Sequence, residues 1–244
     1  MAPHHQWAYT TEKGTHWWDG KTEDFAPLYK WITTHRELLD GFEPVSDVVL
    51  VFNSPAEYRG RGKSAEVAAC LAAHNIQYRV AIAGGDWVHE ALDKSALLAA
   101  QKVVVTSREC IDARQNAALS VAEQAGKLIA WQGSASCDDK LPQSVEVEGA
   151  SNVWALVRRN AKTGAVAVHL LNRNYDLAQD ATVPTGPLTV TLQNGLLASK
   201  TFRSATVHAV PEAQVASVPI TTTAQHLTLH VPSVNLWSIV LLKP

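Results

Sequence analysis

The chain has 244 residues, 46% of them hydrophobic and 18% charged, a globular composition that allows one large domain or two smaller ones at roughly 100–200 residues each. A (β/α)8 barrel takes about 250 residues by itself, so a complete barrel plus anything else does not fit. With 21 Lys and Arg against 23 Asp and Glu, the net charge of −2 argues against a nucleic-acid partner, which needs a basic face.

No apolar run approaches the ~20 residues of a membrane span, so no membrane partner is predicted. The N-terminal string MAPHHQWAY lacks the apolar core of a signal peptide, which predicts a cytoplasmic chain. Cys70, Cys110 and Cys137 are odd in number and widely spaced, with no C-x-x-C pair. That pattern predicts reduced thiols, with neither a disulfide frame nor a zinc site.

Residues 1–46 form the first zone. Trp7, Trp17, Trp18 and Trp31, half of the 8 tryptophans, fall here with Tyr9, Phe25 and Tyr29. Asp24 as N-cap and Pro27 in the first turn mark a helix start. Phe25, Leu28, Tyr29, Trp31, Ile32, Leu38 and Leu39 then recur at helical spacing, and Gly41 ends the helix. So large an apolar face needs something sizeable to pack against. The aromatics allow two readings. They are packing residues, or Trp7, Tyr9, Trp17 and Trp18 stack on the C–H faces of pyranose rings. The neighbouring His4 and His5 would point to opposite faces of a strand, so with His16 they predict no metal site; no cofactor is predicted either.

Residues 47–132 alternate apolar runs with amphipathic stretches. Val48–Phe52 suits a strand buried on both faces, and Lys63–His74 follows at helical spacing. Tyr78–Ile82 is a second strand, closed by Gly84-Gly85, and Asp86 caps a helix running to about Leu98. Lys102–Thr106 is a third strand, Asp112–Ala125 a third helix ended by Gly126, and Lys127–Trp131 a fourth strand. This order implies a flavodoxin-like, doubly wound parallel sheet.

Residues 133–151 are polar and irregular, a linker with a short strand at Val145–Val147. From residue 152 to 244 the helical period disappears. Leu188–Leu192 and Leu227–Val231 alternate apolar with polar residues, and Val153–Arg158, Ala165–Leu171, Ser204–Val210 and Trp237–Leu242 supply further strands. Together they predict an antiparallel β-sandwich.

Three motifs carry candidate chemistry. Gly60-Arg61-Gly62-Lys63-Ser64 lies where a phosphate loop would lie, but Glu57 stands where that loop needs its first glycine, so a turn into a helix is expected. Asp86, His89 and Glu90 follow the second strand at the sheet's carboxyl edge, where open α/β sheets place ligands; an N-cap followed by acidic first-turn residues explains them equally. Glu109 and Cys110 follow the third strand, and Cys110 is a nucleophile only if a base lies beside it; otherwise it is a buried structural thiol.

His5-Gln6-Trp7-Ala8-Tyr9-Thr10 resembles the last barrel strand of multidomain β-galactosidase-like glycoside hydrolases, where an aromatic residue lines the sugar site. Phe25–Asp40 with Gly41-Phe42-Glu43 resembles the final barrel helix and its exit. Residues 47–132 match the trimerisation-type flavodoxin-like domain of such enzymes, and His169–Asp176 with Val231-Pro232 to Trp237 looks like their C-terminal sandwich. The resemblance implies a truncated glycoside hydrolase homologue, carbohydrate-associated, without the barrel strands that bear the catalytic carboxylates. Its aromatic helix, lacking a barrel, is expected to pack on the α/β domain or on a second copy in a homo-oligomer. The alternative is a compact glycosidase with a rebuilt two-carboxylate site, drawn from Asp86, Glu90 and Glu109, or from Asp19, Glu23 and Asp24 beside the tryptophans.

Overall fold

The computed structural model describes residues 6–11, 14–19, 22–84, 92–131, 133, 141–198, 200–212 and 214–244. The chain opens with an antiparallel hairpin, β1 (Gln6–Thr11) and β2 (Gly14–Asp19), which joins no other described strand. Helix α1 (Thr22–Thr34) begins ahead of Asp24, so Pro27 lies inside it. A 3-10 turn at Arg36–Leu38 follows. Gly41, at φ +77, takes the left-handed conformation that glycine adopts without steric cost and reverses the chain into β3 (Phe42–Pro44).

The α/β unit follows. Its elements are β4 (Val48–Asn53), α2 (Ser54–Tyr58), α3 (Ser64–Ala73), β5 (Tyr78–Ala83), α4 (Lys94–Ala99), β6 (Lys102–Val105), α5 (Ala113–Gln124) and β7 (Leu128–Ala130). All four strands are parallel and lie in the order β5-β4-β6-β7, which is the flavodoxin-like arrangement. The apolar run of β4 is buried on both faces. Val49 and Val51 join the cluster with α4 and α5, while Val48 and Leu50 pack with Val67 and Leu71 of α3. Asp112 caps α5, accepting from Gln115 N–H at 2.7 Å. The helix expected from Asp86 is described only as α4, whose cap is Asp93; Asp86 lies outside the described residues.

The rest of the chain builds two antiparallel sheets. Its strands are β8 (Val145–Glu148), β9 (Val153–Asn160), β10 (Val166–Asn172), β11 (Tyr175–Asp176), β12 (Ala181–Thr182), β13 (Leu188–Gln193), β14 (Ser204–Val210), β15 (Val215–Ser217), β16 (Ile220–Thr222), β17 (His226–Val231) and β18 (Trp237–Lys243). A six-stranded sheet, β15-β14-β18-β10-β9-β3, faces a four-stranded one, β16-β17-β13-β8. Between them lies a core of Val, Leu and Phe side chains that includes Val168, Leu170, Val190, Leu192, Leu229 and Val240. Alternation along each strand puts these inside and their polar neighbours outside.

Two features differ from the sequence reading. The apolar face of α1 packs on the outer side of the six-stranded sheet, against Ala165, Ala167, Ile239 and Leu241, and not on the α/β unit. Trp31 is 4% exposed and its indole N–H donates to the Glu212 carbonyl at 3.2 Å. These strands present small and aliphatic residues outward, and that gives the helix its bed. The second correction concerns cysteine: Cys70 is disulfide-bonded where reduced thiols were expected. Cys110 is free and exposed, not buried.

The α/β unit also docks on the sandwich. Strand β9 pairs with β3 only along Arg158–Asn160, and the rest of that edge is met by the side chains of Asn75 and Gln77. No described helix is long and apolar enough to cross a membrane.

Candidate functional site

In the sheet order β5-β4-β6-β7 successive strands are added on one side of β4 and then on the other, so the winding reverses between β4 and β6, and ligands of open α/β sheets bind outside the carboxyl ends of the strands at such a point. Asn53, fully buried at the end of β4, organises this place. Its Oδ1 accepts from Ala56 N–H at 3.2 Å and so caps α2. Its Nδ2 donates to the carbonyls of Ser107 and Glu109, both at 2.9 Å. One side chain thus fixes the loop after β6 against the loop after β4.

Those two loops bring four groups together. Arg61 Nη1 meets Glu109 Oε2 at 2.6 Å, with both side chains more than half exposed. The hydrogen bond and charge of Glu109 raise the Arg61 pKa above the ordinary arginine value. Arg59 Nη1 donates to Cys110 Sγ at 2.6 Å, and Cys110 holds a positive φ of 64.

The chemistry of this arrangement is limited by its partners. A guanidinium is a donor only; it neither accepts a proton nor attacks carbon. Glycoside hydrolysis in its usual form needs two carboxyl groups across the scissile bond, and the described ionic partner of Glu109 is a cation. Asp86, His89 and Glu90 lie outside the described residues. Cys110 has an arginine beside it and, among the described residues, no hydrogen-bonded base. In the alternative acidic set, Glu23 is exposed in the first turn of α1, and the side chains of Asp19 and Asp24 lie outside the described residues.

The loop resembling a phosphate loop is closed from within. Glu57 Oε1 accepts from Ser64 N–H at 2.7 Å, at the start of α3. A Cβ on Gly62 would lie 2.1 Å from Glu57 Cδ, so the glycine makes room for the carboxylate. The position a phosphate would take at this helix N-terminus is held by the protein's own anion, as the identity of Glu57 predicts.

The backbone of the N-terminal hairpin orders the aromatic residues. Trp7 pairs with Trp18, Tyr9 with His16 and Ala8 with Trp17. The side chains of Trp7, Tyr9, Trp17 and Trp18, which the sequence reading took as a group, lie outside the described residues. That reading also passed over Asn53, whose signal was a lone carboxamide closing an apolar strand run just before Ser54-Pro55.

No family model matches the sequence, and neither does any curated protein. Solved structures do match in fold. α-L-Fucosidase isoenzyme 2 from Paenibacillus thiaminolyticus superposes with a TM-score of 0.53 at 8% identity, over 88% of this chain and 51% of that one. A rhamnosidase from Novosphingobium sp. PP1Y superposes with a TM-score of 0.51 at 13% identity, over 96% of this chain and 26% of that one. The chain thus spans about half the length of the first and about a quarter of the second. Both neighbours are glycoside hydrolases, and at such identities the likeness is one of fold alone: a mixed α/β and β-sandwich architecture. It does not single out the β-galactosidase arrangement.

Proposed function

We propose that these residues are a carbohydrate-associated, non-catalytic portion of a glycoside hydrolase-like protein, equivalent to the parts that follow the catalytic barrel in β-galactosidase-like enzymes. The order of parts carries this reading: aromatic strand and helix, parallel sheet of flavodoxin type, then sandwich. The ion pair of Glu109 with Arg61 also supports it, because it gives a candidate catalytic carboxylate a structural partner. In this role Trp7, Tyr9, Trp17 and Trp18 are the aromatic residues offered for pyranose stacking.

Two measurements on the purified chain test the reading. Neutral saccharides are expected to change tryptophan fluorescence, Trp7→Ala and Trp18→Ala are expected to weaken that response, and a panel of aryl glycosides is expected to remain unhydrolysed. Hydrolysis that disappears in Asp86→Asn, Glu90→Gln or Glu109→Gln would establish the compact glycosidase instead.

A further inference from the structure

The outer face of the four-stranded sheet carries a second polar surface. Leu188, Val190, Leu192, Leu227, Leu229 and Val231 are buried in the core, so their alternating neighbours face outward. Thr191 lies directly opposite Glu146 on one side and Thr228 on the other, and Gln193 lies opposite His226. A cleft of about 620 Å³ opens over this end of the sheet, floored by Glu146, Thr191, Gln193 and His226 and rimmed by Gln143 and Gln225. That volume falls within the range of small-molecule sites, about 300–1,000 Å³.

The frame of the cleft is fixed and its functional groups are free. Gln193 Nε2 donates to the Gln143 carbonyl at 2.8 Å, and its N–H to the Ser144 carbonyl at 2.9 Å. Ser144 Oγ bonds the carboxylate of Asp47, which ties the rim to the α/β unit. Among the described residues, the carboxylate of Glu146, the hydroxyl of Thr191 and the imidazole of His226 have no hydrogen-bond or ionic partner.

The donor set selects the ligand. The lining holds no Lys or Arg and one carboxylate, so an anion is disfavoured. Among the described residues no three His, Cys, Asp or Glu side chains gather to hold a metal ion. Carboxamides, a hydroxyl, an imidazole and a carboxylate match a neutral polyhydroxylated molecule, whose adjacent hydroxyls give two O–H donors to one carboxylate and accept from neighbouring amides. We infer that this cleft is a binding site for a neutral saccharide, distinct from the aromatic hairpin and resting on the carbohydrate-associated reading above. Vicinal hydroxyls bridge Glu146 and Thr191 across the β8–β13 pair, and Gln193 and His226 hold the next oxygen along the ring. The lining holds no Trp, Tyr or Phe to serve as a stacking platform, so polar contacts alone hold the sugar and weak binding is expected.

The test is titration of the full chain, 15N-labelled, with lactose, cellobiose, L-fucose and L-rhamnose, followed by amide chemical shifts. The amides of Glu146, Thr191, Gln193 and His226 are expected to shift saturably with at least one of these sugars. Glu146→Gln, an outward-facing change that keeps the fold, is expected to weaken that response about tenfold, because charged hydrogen bonds are roughly twice as strong as neutral ones. Trp7→Ala is expected to leave it in place. Unmoved cleft amides, or an unchanged response in Glu146→Gln, overturn the inference. Shifts confined to residues of the hairpin overturn it while the carbohydrate-associated reading stands, and no shift anywhere with any of the four sugars overturns both.

Discussion

The side-chain carboxamide of Gln77 stands where a neighbouring strand would stand, accepting from Val157 N–H at 2.8 Å and donating to the Ala155 carbonyl at 2.9 Å. Asn75, in the left-handed region at φ 55, adds Oδ1 to Ala155 N–H at 2.7 Å. Two amide side chains of the α/β unit thereby satisfy the strand edge that β3 leaves open. Gln77 is 3% exposed, so water cannot replace it. Gln77→Ala is expected to destabilise the chain by about 2–4 kcal/mol, the cost of leaving two buried backbone groups without partners. Gln77→Glu keeps the shape but cannot donate to the carbonyl, and is expected to be no better tolerated. Urea denaturation of the three proteins checks both expectations.

Gly62 and Glu57 form a second coupled pair. A methyl group at Gly62 displaces the Glu57 carboxylate from the start of α3, so Gly62→Ala is expected to cost what loss of a helix cap costs, about 1 kcal/mol. Glu57→Ala should cost nearly the same, and the double variant little more than either single one. Equal and non-additive losses in a double-mutant cycle mark one shared interaction; additive losses would show that the two residues act separately.

His169 sets a sensitivity to acid. Its ring stacks on Trp237 at 5.7 Å, and among the described residues its buried Nε2 has no hydrogen-bond partner. Burial, reinforced by the positive charge of Arg158, pushes its pKa down from 6.5 to about 4. Above pH 6.5 the ring is neutral in both folded and unfolded chains, and stability does not depend on it. As the pH falls from 6.5 to about 4, the unfolded chain takes up a proton that the folded chain refuses, and up to about 3 kcal/mol is lost. Below that window the loss levels off. His169→Phe keeps an apolar ring against Trp237 and is expected to flatten this stretch of the stability–pH curve, measured by denaturation at closely spaced pH values.

The cysteines should separate by reactivity. Cys110 is exposed and free, so iodoacetamide is expected to modify it in the native, unreduced chain, while Cys70 becomes reactive only after reduction. Reduction itself is expected to lower stability by about 2–4 kcal/mol. Peptide mapping after alkylation, with and without reductant, checks the assignment; labelling of Cys70 without reductant would contradict it.

The elements with a clear period could be read from the sequence, and the associations between them could not. Val48–Phe52 announces a doubly buried strand, and Leu188–Leu192 and Leu227–Val231 announce half-buried ones, because burial on two faces or one writes itself into residue type. Strands β3, β11, β12, β15 and β16 run only two or three residues, too short for any period to appear. The apolar face of α1 states that it needs a partner, yet nothing local states that Ile239 and Leu241, some two hundred residues later, supply it. A separation of 48 residues likewise hides the pairing of Arg61 with Glu109. Glu57 is the instructive opposite case, since its charge alone was enough to reject a phosphate loop.

Strand β3 carries a consequence for biosynthesis. It is the outermost member of the larger sandwich sheet, pairing Phe42 with Asn160, while the entire parallel-sheet unit is threaded between those two residues. A ribosome therefore releases the first piece of the sandwich long before the strand it will join. The intervening unit pairs strands across 30 and 54 residues, as in Val48 with Tyr78 and with Lys102, so its own loop closures come before the two ends of its segment are held together for the strands that remain. Completion of the larger sandwich sheet waits on β18, which lies at its centre between β14 and β10.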